Sequence, residues 1–242
     1  MTSALMLKSC MSIAAALPEF ERSTFDFLES HQDENMSTMN DAGTQLARLC
    51  RALRADIAAD TARKNGKAVS YAAAKRICKS TLGQYRTEYA GAWLDSEGRQ
   101  CMISGSRAVR LNEPFDSLPA APSDKLREID LESLLRPARN NLLPLEVPDL
   151  KRLRADLKIH KAEQQAVKIK FRKPLLYRFG EGLPTVDARF LLDMFELFPD
   201  ASVAASKYRP ETAALHFQSK SGEGLLMPIY VKKDDQKGEA HA

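Results

Sequence analysis

The side chains most able to do chemistry are few and scattered. The four histidines, His31, His160, His216 and His241, stand far from one another and from any Cys at metal-ligand spacing. There is no Gly-x-Ser-x-Gly elbow, no phosphate-binding P-loop, no His-Glu-x-x-His pair and no dinucleotide fingerprint after a strand. Gly180-Glu181-Gly182 and Gly222-Glu223-Gly224 read as turns. Asp187 and Asp193 fall on one expected helix but are six residues apart, so they do not share a face. Cys10, Cys50, Cys78 and Cys101 form no Cys-x-x-Cys pair and read as free thiols of a reducing compartment. The expectation is a protein that is not an enzyme, with no catalytic residues, no metal and no cofactor.

The basic residues are better organised. In 148–165, Leu150, Leu153 and Leu157 form an apolar stripe, and Lys151, Arg154, Lys158 and Lys161 form a second stripe about 100° around the helix. One face can pack on a sheet while its neighbour presents four cations. A helix over 41–64 repeats the theme, with Arg48, Arg51 and Arg54 beside Leu46, Leu49, Leu53 and Ile57. Such rows can follow phosphates without reading bases. The net charge of +4 allows a nucleic-acid partner, and its distribution says more. Residues 1–42 hold two basic and seven acidic residues, a net −5, whereas 147–173 hold nine basic and three acidic, a net +6.

The elements that must position these residues follow from periodicity. Residues 1–40 are acidic and poorly ordered, with a short helix near Glu19–Glu29. Residues 41–84 are helical: Asn40 or Asp41 caps the first helix, Asn65-Gly66 ends it, and Ser70 caps a second from Tyr71 to about Leu82. Residues 85–231 form an α+β domain, helices packed on antiparallel sheet. Glu88–Leu94 and Arg99–Leu111 make a hairpin across Asp95–Gly98. Residues 112–145 carry five prolines and read as connection with a helix near Leu126–Leu135. Pro148 suits the first turn of the helix that runs to about Gln165. Lys168–Phe171 and Leu175–Phe179 read as a second hairpin, and Val186–Phe198 as an amphipathic helix. Three strands follow, Ala201–Lys207, Thr212–Gln218 and Leu225–Val231, with turns at Arg209-Pro210 and Ser221–Gly224. Residues 232–242 form a polar, disordered tail.

Two segments resemble the bacterial DNA sliding clamp, the β-type processivity factor. Arg99–Val109 resembles that family's strand-turn motif of the type T-D-G-H-R-L-A. Gly105 and Arg107 match it, whereas Ser104, Ser106 and Ala108 replace the usual Asp, His and Leu. Phe190-Leu191-Leu192-Asp193-Met194 resembles the clamp's last helix, and Leu226-Met227-Pro228-Ile229 its closing Met-Pro motif. The likeness covers about half the chain, which has room for one clamp domain or parts of two where a clamp chain has three; residues 1–85 match nothing in it. The resemblance implies basic helices that contact DNA backbone. It also implies a pocket for short partner peptides formed by Gly105, Arg107, Ala108, Met227, Pro228 and Ile229.

The expected function is therefore that of a clamp-like DNA-replication accessory protein, divergent or reduced, of the kind a phage or mobile element carries. It would contact duplex DNA through Arg48, Arg51, Arg54, Lys151, Arg154, Lys158 and Lys161, and tether a polymerase or other DNA enzyme, with a homo-oligomer as an option. The alternative is a DNA-binding regulator that reads bases with a helix pair at 41–82. No apolar run approaches the ~20 residues of a membrane span, and the start only faintly mimics a secretory leader, so a cytoplasmic location is expected. Met36 and Met39, just before the first strong helix, are read as candidate alternative starts.

Overall fold

The computed structural model describes residues 4–13, 15, 36–79, 91–121, 130–167 and 173–230. The helix expected near Glu19–Glu29, the strand start at Glu88, the first half of the 126–135 helix, the strand Lys168–Phe171 and the tail from Lys232 lie outside these residues. The chain divides into two compact units, Met1–Ala68 and Val69–Ala242.

The first unit is helical. Helix α1 covers residues 4–13, and α2 spans Met36–Lys64. Asn40 and Asp41, expected as caps, are instead inside α2, because Met36–Met39 contains neither Gly nor Pro to stop the helix. The helix ends as the sequence predicts. Gly66 takes φ +69°, and its N–H and that of Lys67 donate to the Arg63 and Ala62 carbonyls at 3.1 and 2.7 Å. This is a Schellman cap, which closes off helix carbonyls that would otherwise lack donors. Cys50 and Leu53 form a small cluster with Cys10, flanked by Leu7 and Leu46. Leu49, expected in this stripe, is exposed; it sits at the margin of the face, whose centre runs through Cys50 and Leu53.

The second unit is built on a seven-stranded sheet in which every pairing is antiparallel. Its strands are β1 (Ala92–Leu94), β2 (Gln100–Ser104), β3 (Arg107–Leu111), β4 (Leu142–Leu145), β7 (Ser202–Ser206), β8 (Leu215–Ser219) and β9 (Gly222–Leu226), ordered β1-β2-β3-β9-β8-β7-β4. A separate ribbon pairs β5 (Leu176–Arg178) with β6 (Thr185–Asp187). Helices α3 (Ala68–Lys79), α5 (Leu150–Ala166) and α6 (Ala188–Leu197) contribute to one core with Met102, Val109, Phe217 and Leu226. The opposite sheet face carries Cys101, Ala108 and Leu225, covered by Leu131 and Leu135 of α4 (Leu131–Ala138). Successive strand residues point to opposite faces, and both faces are covered here. That is why β3 and β9 are buried along their whole length. The expected α+β class, helices on antiparallel sheet after a helical N-terminal region, is what the chain adopts.

Several local expectations are corrected. Arg99–Leu111 is two strands, broken where Gly105 takes φ +52°. Leu142–Leu145, in the proline-rich stretch expected to be connection, is strand β4; it is an edge strand bonded only to β7, where Pro144 is tolerated. Asp149, not Pro148, starts α5: its carboxylate accepts the Lys151 and Arg152 N–H groups at 2.8 and 3.2 Å. Leu176–Arg178 pairs with Thr185–Asp187, a strand that takes the start of the helix expected over Val186–Phe198. Ser70 is inside α3, and its hydroxyl donates to the Glu196 carbonyl at 3.0 Å. Gly222-Glu223-Gly224 is strand, not turn.

Candidate nucleic-acid and partner interface

Helix α5 shows the two-stripe design. Leu153 is buried, and Leu150 and Leu157 pack against the core. Lys151, Arg154, Lys158 and Lys161 are all exposed. Arg154 differs from the other three, because its Nε donates to Glu196 Oε1 at 3.0 Å. Lys151, Lys158 and Lys161 make no ion pair with another described residue. Arg48, Arg51 and Arg54 are exposed on α2, in the other unit, and likewise pair with no described residue. Helix α3 offers less as a reading helix. Tyr71, Ala73, Ala74, Ile77 and Cys78 are buried, and Arg76 binds Asp193 (2.7 Å) and Glu196.

The three segments that carry the clamp resemblance meet. Arg107 lies opposite Leu226 in the sheet register, and the Met227 N–H donates to the Ser106 carbonyl at 2.8 Å. Two residues on, the Ile229 N–H donates to the Thr185 carbonyl at 2.7 Å, so residues 227–229 run from the β2–β3 turn to β6. Arg107 is only 2% exposed. Its Nη1 donates to Asp193 Oδ2 at 2.6 Å and its Nε to Ser104 Oγ at 3.0 Å, and the guanidinium lies 4.2 Å from the Phe190 ring centroid. Burial pulls the Arg107 pKa down, and Asp193 offsets part of that. Its charge is therefore committed inside the unit. What remains at the surface is apolar: Met227 is half exposed, Pro228 and Ile229 are partly so, and Gly105 is exposed; Ala108, expected in the same pocket, faces the other side of the sheet and is buried under α4.

A second polar cluster, on the α4 side of the sheet, was not anticipated. Arg139 donates to Glu223 at 2.8 and 2.9 Å and to Glu132 at 2.6 and 2.9 Å. Arg110 contacts Glu132 at 2.9 Å and also binds Glu223. His216 Nε2 lies 3.4 Å from Glu223 Oε2. Burial alone would raise the Glu223 pKa, but hydrogen bonds from His216, Arg139 and Arg110 hold it well below the usual carboxylate range. The Arg139 hydrogen bonds, opposed in part by desolvation, bring Glu132 down to about 2. Register could have signalled the cluster, since Arg110 and Glu223 are direct cross-strand partners; the signal was lost because 222–224 read as a turn.

Two of the thiols, Cys78 and Cys101, are poor nucleophiles. Burial pushes Cys78 and Cys101 up to about 12, far from the depressed values of reactive cysteines. Among the described residues, no helix is long and apolar enough to cross a membrane. No family model, curated protein or solved structure matches the chain.

Proposed function

We propose that the protein is a non-enzymatic, clamp-like DNA accessory factor. It holds duplex DNA by the backbone through α5 and offers the 227–229 segment to a partner that works on that DNA. The observation that carries this reading is the exposed row Lys151, Lys158 and Lys161. Its members lack carboxylate partners among the described residues and stand on a helix whose other face is fixed in the core. Cations held on a rigid element at helical spacing exchange condensed counterions for phosphates without consulting sequence. The convergence of the β2–β3 turn, α6 and residues 227–229 supports the tethering half, because a half-exposed Met adapts to varied apolar anchors.

The test is fluorescence anisotropy with a labelled duplex over a salt series. The wild-type chain should bind unrelated duplexes alike, with log Kd linear in log salt. Lys151→Glu with Lys158→Glu should weaken binding and flatten the slope by about 2, since each phosphate contact contributes about 0.9. An unchanged slope, with the thermal melt also unchanged, would overturn the assignment of α5.

A further inference from the structure

A second basic feature of the same unit is concave. A cleft of about 460 Å³ lies between α5, the segment entering β5 and the start of α6. Three cations line it from three different elements: Lys161 from α5, Lys173 from the segment before β5, and Arg189 from the first turn of α6. None makes an ion pair with another described residue. Lys173 is held in place through its backbone. Gln164 Nε2 donates to the Lys173 carbonyl at 2.6 Å, and His160 Nε2 lies 3.0 Å from the same oxygen. Arg189 is steadied by the Phe190 ring, whose centroid is 4.8 Å from its guanidinium carbon. Among the described residues, Asp187 is the one carboxylate in the lining, and its Oδ1 already accepts the Arg189 N–H at 2.8 Å as the cap of α6.

Three like charges around one cavity repel one another unless an anion fills it. With Asp187 counted, the lining carries a formal charge of about +2, which matches the −1.5 to −2 of a phosphate monoester at neutral pH better than the single charge of a diester. Leu157, Pro174 and Leu175 give the wall an apolar part, beside the polar His160 and Gln164. The volume lies within the ~300–1,000 Å³ range of small-molecule sites. We propose that this cleft binds a phosphate monoester carried on a nucleoside-sized group. Lys161, Lys173 and Arg189 take the phosphoryl oxygens, and the Leu157, Pro174 and Leu175 surface takes the apolar part. A free nucleotide and the 5′-phosphorylated end of a nucleic-acid strand share this chemistry. The proposal does not rest on the duplex-binding role of α5.

Calorimetry with the full chain tests it, using adenosine monophosphate, adenosine, and a short single-stranded oligonucleotide with and without a 5′-phosphate. Binding of the monophosphate, at least about tenfold tighter than adenosine, supports the cleft with a free nucleotide as its source. Binding of the 5′-phosphorylated oligonucleotide alone, about tenfold tighter than its 5′-hydroxyl form, supports it with a strand end as its source. Lys173→Glu with Arg189→Glu should abolish either preference; the milder Lys173→Gln, which keeps the backbone anchor, should weaken it by about tenfold. Lys151→Glu with Lys158→Glu should leave it intact, which separates this site from the rest of the duplex row, with which it shares Lys161. Equal binding of phosphorylated and unphosphorylated probes, no binding of any, or full affinity in the Lys173 and Arg189 variants would overturn the proposal.

Discussion

Burying the Arg107 guanidinium between β3 and α6 is tolerable because Asp193 meets it at 2.6 Å and Ser104 at 3.0 Å. Asp193 is buried too, and its other oxygen takes Arg76. Removing the carboxylate strips the buried guanidinium of the counter-charge hydrogen-bonded to it, which typically costs ~3–5 kcal/mol. Asp193→Ala should therefore lower the urea midpoint far more than Arg76→Ala, whose side chain is 46% exposed. Adding Arg107→Met to Asp193→Ala should restore much of the loss, because replacing both partners leaves no stranded charge. A double variant no more stable than Asp193→Ala would show that the pair does not carry this energy. That Gly105 makes a turn and that Arg107 follows it in a strand was legible in the chain. The partner was not: Asp193 lies 86 residues away, on a helix whose spacing says nothing of β3.

At the scale of elements, the periodic parts of the chain declared themselves and the close approaches did not. The two stripes of α5 appear in the structure as read, because a helix fixes the angle between neighbouring side chains whatever it packs on. Strand β9 was misplaced because glycine has two uses. It permits turns, and it also lets another backbone come near. Here the second applies. A Cβ on Gly222, at φ +153°, would collide with the Arg110 carbonyl of β3 and lie 3.0 Å from Leu111 Cα. On Gly224 it would meet the flexible end of Met194 at 2.5 Å and the Ala108 carbonyl at 3.1 Å. Gly224→Ala should thus cost ~1–3 kcal/mol, the range for overpacking that neighbouring side chains can partly absorb. Gly222→Ala should cost more, since backbone must move and the residue must leave a conformation L-residues avoid. Thermal melts of the two variants decide the order, and a milder Gly222→Ala would mean that β3 and β9 can part there without loss.

At the scale of the molecule, the two sheet faces are held differently. One is covered by a broad apolar core from α3, α5 and α6. The other has a small apolar patch under α4, bordered by Arg110, Glu132, Arg139, His216 and Glu223. Nothing in composition distinguished these faces, because the cluster draws on residues from 110 to 223 that only the strand order β3-β9-β8 brings together. The difference has a pH signature. Glu132 titrates at about 2 in the folded chain against about 4.3 for an ordinary Glu. A carboxylate with a depressed folded pKa contributes stability that is complete above the unfolded value and lost as pH falls through the folded one. Glu223 is depressed as well, so its share persists further into acid. The melting temperature should change little on this account from pH 7 to about 5, then fall steeply between about 4.3 and 2. Glu132→Gln should lower stability at pH 7, because Arg110 and Arg139 lose a charged partner, and should flatten the acid limb. Parallel acid limbs in the variant and the wild type would place the acid sensitivity elsewhere. If the variant does flatten the limb, the charged border of α4 is the acid-labile part of the unit, while the apolar core that seats α5 and its cations has no such dependence on Glu132.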